Sequence, residues 1–191
     1  MFPADTFRST PEEIIPILES LHIRFHLTGG ITSVAYAEPR MTQDVDIVID
    51  NKAVRSQMDA FVESLRIAEF LFDEAALRHA VESRTLFQLL DSVEALKLDL
   101  YPRELIPGEL DRSSSLELFD GMIVPVASLA DTAAAKLIWI SKGSHRSRRD
   151  LRQLVNASTQ GQRQAIENLA TDLGLRDLLS EVLSEPEEID S

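Results

Sequence analysis

Cysteine is absent from the 191 residues of the sequence. Its absence excludes disulfide bonds, thiolate nucleophiles and cysteine-ligated zinc, and it makes a reducing cytoplasm the expected location. Long apolar runs are also missing, because no segment approaches the roughly 18–20 consecutive apolar residues that a bilayer span needs. Residues 1–5 lack the basic and then apolar pattern of a signal peptide. We therefore expect a cytoplasmic protein without a membrane partner.

Basic residues are scarce, with 19 Lys and Arg against 32 Asp and Glu and a formal net charge of −13. Such a chain repels a nucleic-acid backbone unless its positive charge is gathered locally. This balance argues against general DNA binding and leaves room for a local polyphosphate or RNA-end site. The apolar fraction of 44% and the charged fraction of 27% are ordinary for a packed globular protein of about one domain.

The pattern of apolar residues divides the chain into a mixed α/β part, residues 1–126, and a helical part, residues 127–191. Thr10-Pro11 predicts the start of a helix that ends near Leu21. Asn51 is a candidate cap for a helix through about Leu65. Further strands are predicted at 23–27, 45–49, 70–72, 85–90, 94–101, 116–119 and 122–126, and further helices at 31–37 and 73–83.

The helical part begins with a capping-box signal, Ser128 with Asp131. It continues with predicted helices at 129–140, 146–156, 161–173 and 176–183. Trp139 lies on the apolar first helix and is predicted to be a core residue. Together the two parts predict an α/β (α+β) fold, a mixed sheet flanked by helices with a C-terminal helical part.

Two glycines, Gly29 and Gly30, lie where a predicted strand gives way to a helix. Glycine lets the backbone approach a ligand closely, and a helix N-terminus offers free N–H groups and a positive dipole end. The arrangement can cradle a phosphate. A lone pair of glycines is more often simply a turn.

Asp44 and Asp46 are two residues apart on a predicted strand, so their carboxylates project from the same face. Adjacent like charges are costly unless a cation offsets them, and hard oxygen ligands suit Mg²⁺ or Mn²⁺. The alternative is that both are solvated residues at a strand end. Asp99, in Leu98-Asp99-Leu100, is a third candidate, provided that its strand lies beside the first.

This order of motifs resembles the signature of the nucleotidyltransferase superfamily with the DNA-polymerase-beta-like fold. The form Arg40-x-Thr42-x-Asp44-Val45-Asp46 is similar to the small bacterial branch that includes AbiEii-type toxin and antibiotic nucleotidyltransferases. Lys136 in a helix, followed by the basic segment Arg148-Arg149-Asp150, resembles the same branch. The resemblance covers about residues 22–155, and it departs from the commoner Gly-Ser motif by having Gly-Gly, with Ser33 three residues further on.

The resemblance implies a metal-dependent transfer of NMP from an NTP to a hydroxyl acceptor. Asp44, Asp46 and Asp99 would be catalytic residues that bind Mg²⁺ (or Mn²⁺), and Asp99 could help to deprotonate the acceptor. The nucleotide would be held by residues of the glycine motif, the segment before the aspartates and the later helix: Gly29, Gly30, Ser33, Arg40, Thr42 and Lys136. Asp150 would orient a helix or a basic partner.

A basic cluster stands out against the acidic composition: Lys142, Arg146, Arg148, Arg149 and Arg152, with His145 beside them. It is either a positive wall for an NTP or an RNA acceptor end, or a solvated face paired with acidic residues elsewhere. The remaining histidines have no ligand spacing, and we expect structural roles for them.

Three functions stay open. The acceptor is an RNA end or a protein, as in a toxin with an antitoxin partner, or it is a small molecule, as in an antibiotic nucleotidyltransferase. Alternatively, the chain is a non-catalytic nucleotide-binding module, although a binding module has no need of three clustered acids.

Overall fold

A computed structural model describes residues 4–37 and 44–186 of the chain. The helices are α1 (Ala4–Ser20), α2 (Gly29–Tyr36), α3 (Asn51–Ser56), α4 (Met58–Ile67), α5 (Glu74–Ser83), α6 (Leu129–Ser141), α7 (Arg146–Ala157), α8 (Gln160–Asp172) and α9 (Arg176–Ser184). The strands are β1 (Phe25–Thr28), β2 (Asp44–Ile49), β3 (Phe70–Leu71), β4 (Phe87–Asp91), β5 (Leu96–Tyr101), β6 (Ser114–Phe119) and β7 (Met122–Val126). The order of elements is that of the predicted α/β fold with a helical C-terminal part.

The strands form one mixed sheet in the order β3-β4-β5-β2-β1-β7-β6. β2 runs parallel to β5, and β1 pairs with β7 in parallel through Leu27 and Val126. The other neighbours are antiparallel. Asp120-Gly121 forms the hairpin turn between β6 and β7, the strands predicted at 116–119 and 122–126. The two strands with the candidate aspartates are therefore neighbours at the centre of the sheet.

The central strands have two chemically different faces because side chains alternate along a strand. On β5, Leu96, Leu98 and Leu100 are buried in the core, as predicted from the alternation. Lys97, Asp99 and Tyr101 lie on the opposite face. The same alternation puts Asp44 and Asp46 on that second face of β2. We call it the site face.

Helices α1, α3, α4 and α5 cover the core face of the sheet. Ile14 and Leu18 of α1 and Phe61 of α4 are completely or almost completely buried there, and Phe61 makes an edge-to-face contact with Phe87 of β4. The buried apolar area is the main stabilising contribution to this half. The site face is the opposite face of the sheet, which these four helices leave uncovered.

A second apolar cluster belongs to the helical part, where Leu137, Leu151, Leu154 and Ile166 are buried. The change from one cluster to the other falls near the predicted boundary at 126/127. Tyr36 of α2 packs against both clusters, and its hydroxyl donates to the carbonyl of Ala127 at 3.0 Å. The division into 1–126 and 127–191 as separate domains stays a prediction.

Two predicted element boundaries were wrong. Thr10 lies inside α1 rather than at its start, because its hydroxyl donates to buried Asp91, 2.5 Å away. Asp50, not Asn51, caps the next helix by accepting from the N–H groups of Lys52 and Ala53. That helix also breaks at Gln57, whose side chain donates to the carbonyl of Leu21.

None of the helices in residues 4–37 and 44–186 is long and apolar enough to cross a membrane.

Candidate functional site

A pocket of about 520 Å³ opens between the site face of the sheet and the helical part. β2 and β5 form its floor, the start of α2 forms one end, and the segment after β5 forms a side wall. The opposite wall is α6 with the beginning of α7. This volume is within the range of small-molecule sites.

Asp44 and Asp46 line the floor of this pocket, and Asp99 lies beside them on the neighbouring strand. Asp46 of β2 is the register partner of Asp99 of β5, which places the two backbones one strand spacing apart, about 4.8 Å. Asp44 lies two residues earlier on the same face, opposite Lys97. The adjacency that the sequence left open is therefore present.

Asp46 has a perturbed carboxyl group. Burial and, after it, the negative charges of Asp44 and Asp99 raise its pKa from 3.8 to about 6. The Tyr101 hydroxyl donates to Asp46 Oδ1 at 3.1 Å, and the charge of Lys136 acts in the same direction, so both lower the pKa. The balance leaves a surplus of negative charge that a cation would offset.

Lys97 and Gln88 hold Asp99 in place. Lys97 Nζ lies 3.0 Å from Asp99 Oδ2 and 3.9 Å from Asp44 Oδ2, so one ammonium stands between two of the carboxylates. Gln88 Nε2 donates to the other oxygen, Asp99 Oδ1, at 3.0 Å. The pKa of Lys97 is raised, chiefly by its hydrogen bond to Asp99.

The donor set suits a divalent metal ion in its chemistry, because carboxylate oxygens are the protein ligands that Mg²⁺ and Mn²⁺ prefer. In this arrangement the described residues contain no group of three or more acidic or imidazole side chains spaced closely enough to enclose an ion. Asp44, Asp46 and Asp99 are the residues that would hold one, with substrate oxygens and water completing the coordination.

The glycine motif approaches the aspartates closely. Gly29 has a left-handed φ of +71°, and a Cβ at this position would lie 1.9 Å from Asp46 Oδ2. Only glycine fits this backbone and this contact. α2 starts here, and Thr28 makes no side-chain hydrogen bond to its first N–H groups. Gly29 and Gly30 line the pocket, as a phosphate cradle requires.

Three further residues were predicted to bind the nucleotide: Ser33, Arg40 and Thr42. Ser33 is buried one turn into α2, and its hydroxyl donates to the carbonyl of Gly29 at 2.9 Å, so it supports the glycine turn. Its contact with a nucleotide stays a prediction. Arg40 and Thr42 lie outside the described residues.

Lys136 reaches the pocket from α6 as part of an ion pair. Its Nζ donates to Asp150 Oδ2 of α7 at 2.8 Å, and both side chains are over nine-tenths buried. Lys136 also acts on the pKa of Asp46 across the pocket. The pair thus gives Asp150 the expected contact with a basic partner and holds a positive charge opposite the carboxylates.

The basic cluster divides into two groups. Lys142 and Arg146 line the pocket. Arg148 forms ion pairs with Glu181 and Glu185 of the C-terminal region, and Arg152 pairs with Glu185. Part of the cluster therefore faces the pocket, and part offsets acidic residues as the alternative interpretation expected.

The pocket residues that the sequence interpretation missed include Tyr101, Arg103, Glu109 and Trp139. Trp139 was predicted to be a core residue and is 43% exposed in the pocket wall. Its spacing of three residues from Lys136 on one helix was a usable signal, because positions i and i+3 share a face. Tyr101 could also have been predicted, because it lies two residues after Asp99 on β5 and therefore on the same face of the strand.

The side wall is an ordered segment rather than an open loop. Glu109 is buried, and its carboxylate accepts from the N–H of Leu105 at 2.5 Å. Buried His26 lies beneath it, with Nδ1 2.8 Å from Ser113 Oγ and Nε2 3.6 Å from Glu109 Oε2. These contacts fit the structural role expected for the histidines and keep Glu109 at the pocket edge.

Several solved structures share this fold. An antigenic nucleotidyltransferase-like protein from Paracoccidioides brasiliensis is 18% identical, with a TM-score of 0.55 over 94% of this chain and 93% of that one. The antibiotic-resistance factor ANT(2'')-Ia is 14% identical, with a TM-score of 0.59 over 93% and 96%. The lincosamide antibiotic adenylyltransferase LnuA, bound to lincomycin, is 14% identical, with a TM-score of 0.53 over 79% and 98%.

A search of curated protein sequences found no significant match. The family model that matches is described as the nucleotidyl transferase AbiEii toxin of type IV toxin–antitoxin systems, and it aligns with residues 17–186. The match contains β1 to α9 with the whole pocket lining, and it agrees with the resemblance drawn from the glycine and aspartate motifs. The chain belongs to the AbiEii family of nucleotidyltransferases.

Proposed function

We propose that this enzyme transfers a nucleoside monophosphate from an NTP to a hydroxyl acceptor and that the reaction depends on Mg²⁺ or Mn²⁺. The observation that carries the proposal is the placement of Asp44 and Asp46 on the strand beside Asp99, with Asp46 directly against Gly29 at the start of α2. A non-catalytic module has no need of three acids on neighbouring strands, so we favour the enzyme.

In this reaction the acceptor hydroxyl attacks the α-phosphorus of the NTP. A new oxygen–phosphorus bond forms, the bond to the bridging oxygen breaks, and pyrophosphate leaves with the electron pair. The hydroxyl proton passes to a carboxylate beside the reacting centre, for which Asp99, on the strand next to Asp46, is the candidate. The divalent ion, when bound by the aspartates, would activate the attacking oxygen and neutralise developing charge on the phosphates.

The chain's own residues supply binding and orientation. The N–H groups at Gly29 and Gly30 would receive phosphate oxygens, which is supported by their position at the start of α2 without a side-chain cap. Lys136 supplies a positive charge from the opposite wall, held there by Asp150. Tyr101 orients Asp46 through its hydrogen bond. Lys142 and Arg146 are available to the nucleotide or to an RNA acceptor end.

We further propose an RNA end or a protein as the acceptor, in the cytoplasm, with the chain acting as the toxin of a toxin–antitoxin pair. The family match and the basic residues in the pocket support this choice. A cationic antibiotic is the second candidate, favoured by the net charge of −13 and by buried Glu109 at the pocket edge.

The chemistry is tested by incubating the protein with α-labelled NTPs, Mg²⁺ and either total RNA, a protein extract, or a panel of aminoglycosides and lincosamides. We expect label transfer to RNA or protein, and none with EDTA or with Asp46→Ala. Asp59→Ala, an exposed aspartate of α4, is the matched control and should keep activity. Transfer by Asp46→Ala equal to wild type would contradict the proposal.

The toxin role is tested by expression in bacteria. We expect growth arrest with the wild-type chain and none with Asp46→Ala at equal protein level. Growth arrest by both would assign toxicity to something other than transfer, and unhindered growth with an active enzyme would contradict the toxin role.

A further inference from the structure

Trp139 is an exposed aromatic ring in a pocket wall that is otherwise positively charged. It is the one tryptophan in the sequence. Its side chain is 43% exposed, whereas Leu137 and Ile140 on either side of it are buried in the helical core. Trp139 is a large aromatic side chain, yet it is exposed where its neighbours are buried. We take this exposure inside a pocket as the sign of a contact surface for a ligand.

The position of Trp139 relative to the reacting centre is set by α6. Lys136 lies one turn before it and acts electrostatically on Asp46, so that part of the helix faces the carboxylates. Trp139 is about 4.5 Å further along the helix axis, and Lys142 follows by the same step. When the phosphates of a ligand lie at the aspartates, the part of the ligand beyond the phosphates therefore lies next to Trp139.

Lys142 completes the surface, since its Nζ lies 4.9 Å from the centre of the Trp139 ring. This is cation–π geometry, which restricts the ring's orientation. Arg146 lines the pocket beside them. Two cations next to the ring disfavour a polycationic sugar and leave a flat, uncharged heteroaromatic group as the chemistry that fits.

We propose that Trp139, oriented by Lys142, stacks on a nucleobase of the substrate. The inference rests on the proposed nucleotidyl transfer and adds a residue that contacts the base. Stacking accepts any base because every base offers a π-face. We therefore expect broad NTP use unless another contact restricts it. The base belongs either to the donor NTP or to the end of an RNA acceptor.

Because Trp139 is the only tryptophan, its intrinsic fluorescence reports on this surface directly. We expect saturable quenching by each of the four NTPs in Mg²⁺, and much less by tripolyphosphate, which has the same charge-bearing groups and no base. Quenching by an oligoribonucleotide without NTP would assign the acceptor's base, and quenching by NTP alone would assign the donor's.

Affinity measured by calorimetry gives the second readout. Trp139→Ala should weaken NTP binding by about tenfold, Trp139→Phe should change it far less, and tripolyphosphate should bind wild type and Trp139→Ala equally. Ile123→Ala, which removes a 70% exposed apolar side chain of β7 outside the pocket lining, is the matched control and should bind as wild type does.

Three results would overturn the inference. The first is that neither ATP nor the oligoribonucleotide quenches more than tripolyphosphate does. The second is that Trp139→Ala binds both ATP and the oligoribonucleotide with unchanged affinity, and the third is quenching by an aminoglycoside but by no nucleotide. If the wild-type protein binds no nucleotide or oligoribonucleotide at all, the proposed function fails with it. Normal binding by Trp139→Ala would instead leave the proposed function intact and remove only the stacking role.

Discussion

Asp46 is both buried and close to other negatively charged side chains. Tyr101 and Lys136 partly compensate, but the pKa is still raised from 3.8 to about 6. A carboxyl group whose pKa is higher in the folded than in the unfolded protein favours folding in acid and loses that contribution as pH rises. The ionised side chain therefore opposes folding at neutral pH while serving the site.

Replacing Asp46 by Asn should stabilise the protein without metal near neutral pH. A pKa difference of about two units corresponds to at most about 3 kcal/mol in the free energy of unfolding. The advantage should be present above about pH 6 and shrink toward pH 4, where wild-type Asp46 is also protonated. Urea unfolding in EDTA at several pH values measures it, and an advantage that stays constant with pH would contradict the explanation.

Lys97 occupies the position of a cation between Asp44 and Asp99. Replacing it by Met should strengthen binding of Mn²⁺ or Mg²⁺ to the free protein severalfold, because the competing ammonium is removed. Calorimetry without nucleotide measures this affinity. Lys52→Met, on the exposed surface of α3, is the control. Weaker ion binding by Lys97→Met would show that the lysine supports the ion site instead.

At this scale the sequence predicted the positions of the aspartates but not their partners. Alternation along β5 is a local property, so the sequence alone puts Asp99 on the face opposite to Leu98 and Leu100. Gln88 and Tyr101 reach Asp99 and Asp46 only because β4, β5 and β2 are neighbours, and that is a long-range property. The prediction for Trp139 was wrong because it assumed that every apolar side chain of an apolar helix is buried.

Among the elements, α2 depends most directly on a single residue. Its first residue, Gly29, combines a left-handed backbone with a close contact to Asp46, so the start of the helix fits against the strand that carries Asp46 only because Gly29 has no side chain. The same geometry brings the helix N-terminus to the pocket.

Gly29→Ala should reduce both stability and activity. A Cβ 1.9 Å from Asp46 Oδ2 must displace Asp46 or the start of α2, and the left-handed backbone adds a cost of about 1–3 kcal/mol. Thermal unfolding and label transfer measure the two effects. Gly161→Ala in α8, where nothing lies within 4 Å of the added Cβ, should be neutral or slightly stabilising. Equal behaviour of the two variants would contradict this account.

Most elements could be predicted from the sequence because their signals are local: the Asp120-Gly121 turn, the Ser128 cap and the periodicity of the helical part. Two of the failures share one cause, a distant partner. Thr10 is bonded to Asp91 instead of capping a helix, and Gln57 interrupts its helix to reach Leu21. Propensity rules do not include such partners.

At the scale of the whole molecule, the Lys136–Asp150 pair links the helical core to the pocket. Both residues are buried between α6 and α7, while Lys136 faces the carboxylates of the sheet. A buried pair of this kind is strongly destabilising to break and less costly to replace as a unit.

Asp150→Ala should therefore lower the free energy of unfolding by about 3–5 kcal/mol, because it leaves a buried ammonium without its carboxylate. The double variant Lys136→Met/Asp150→Leu should recover much of that stability while NTP binding and transfer stay impaired. Denaturant unfolding and calorimetry separate the two properties. Recovery of transfer together with stability would show that the lysine has only a packing role.

The pocket lining runs from Thr28 to Arg146, so it draws on nearly the whole span between the first strand and the seventh helix. A ribosome must extend the polypeptide beyond Arg146, and that segment must clear the exit tunnel, before the pocket can close around a substrate. The nascent chain therefore has no complete pocket, and no capacity to bind substrate there, through most of its synthesis.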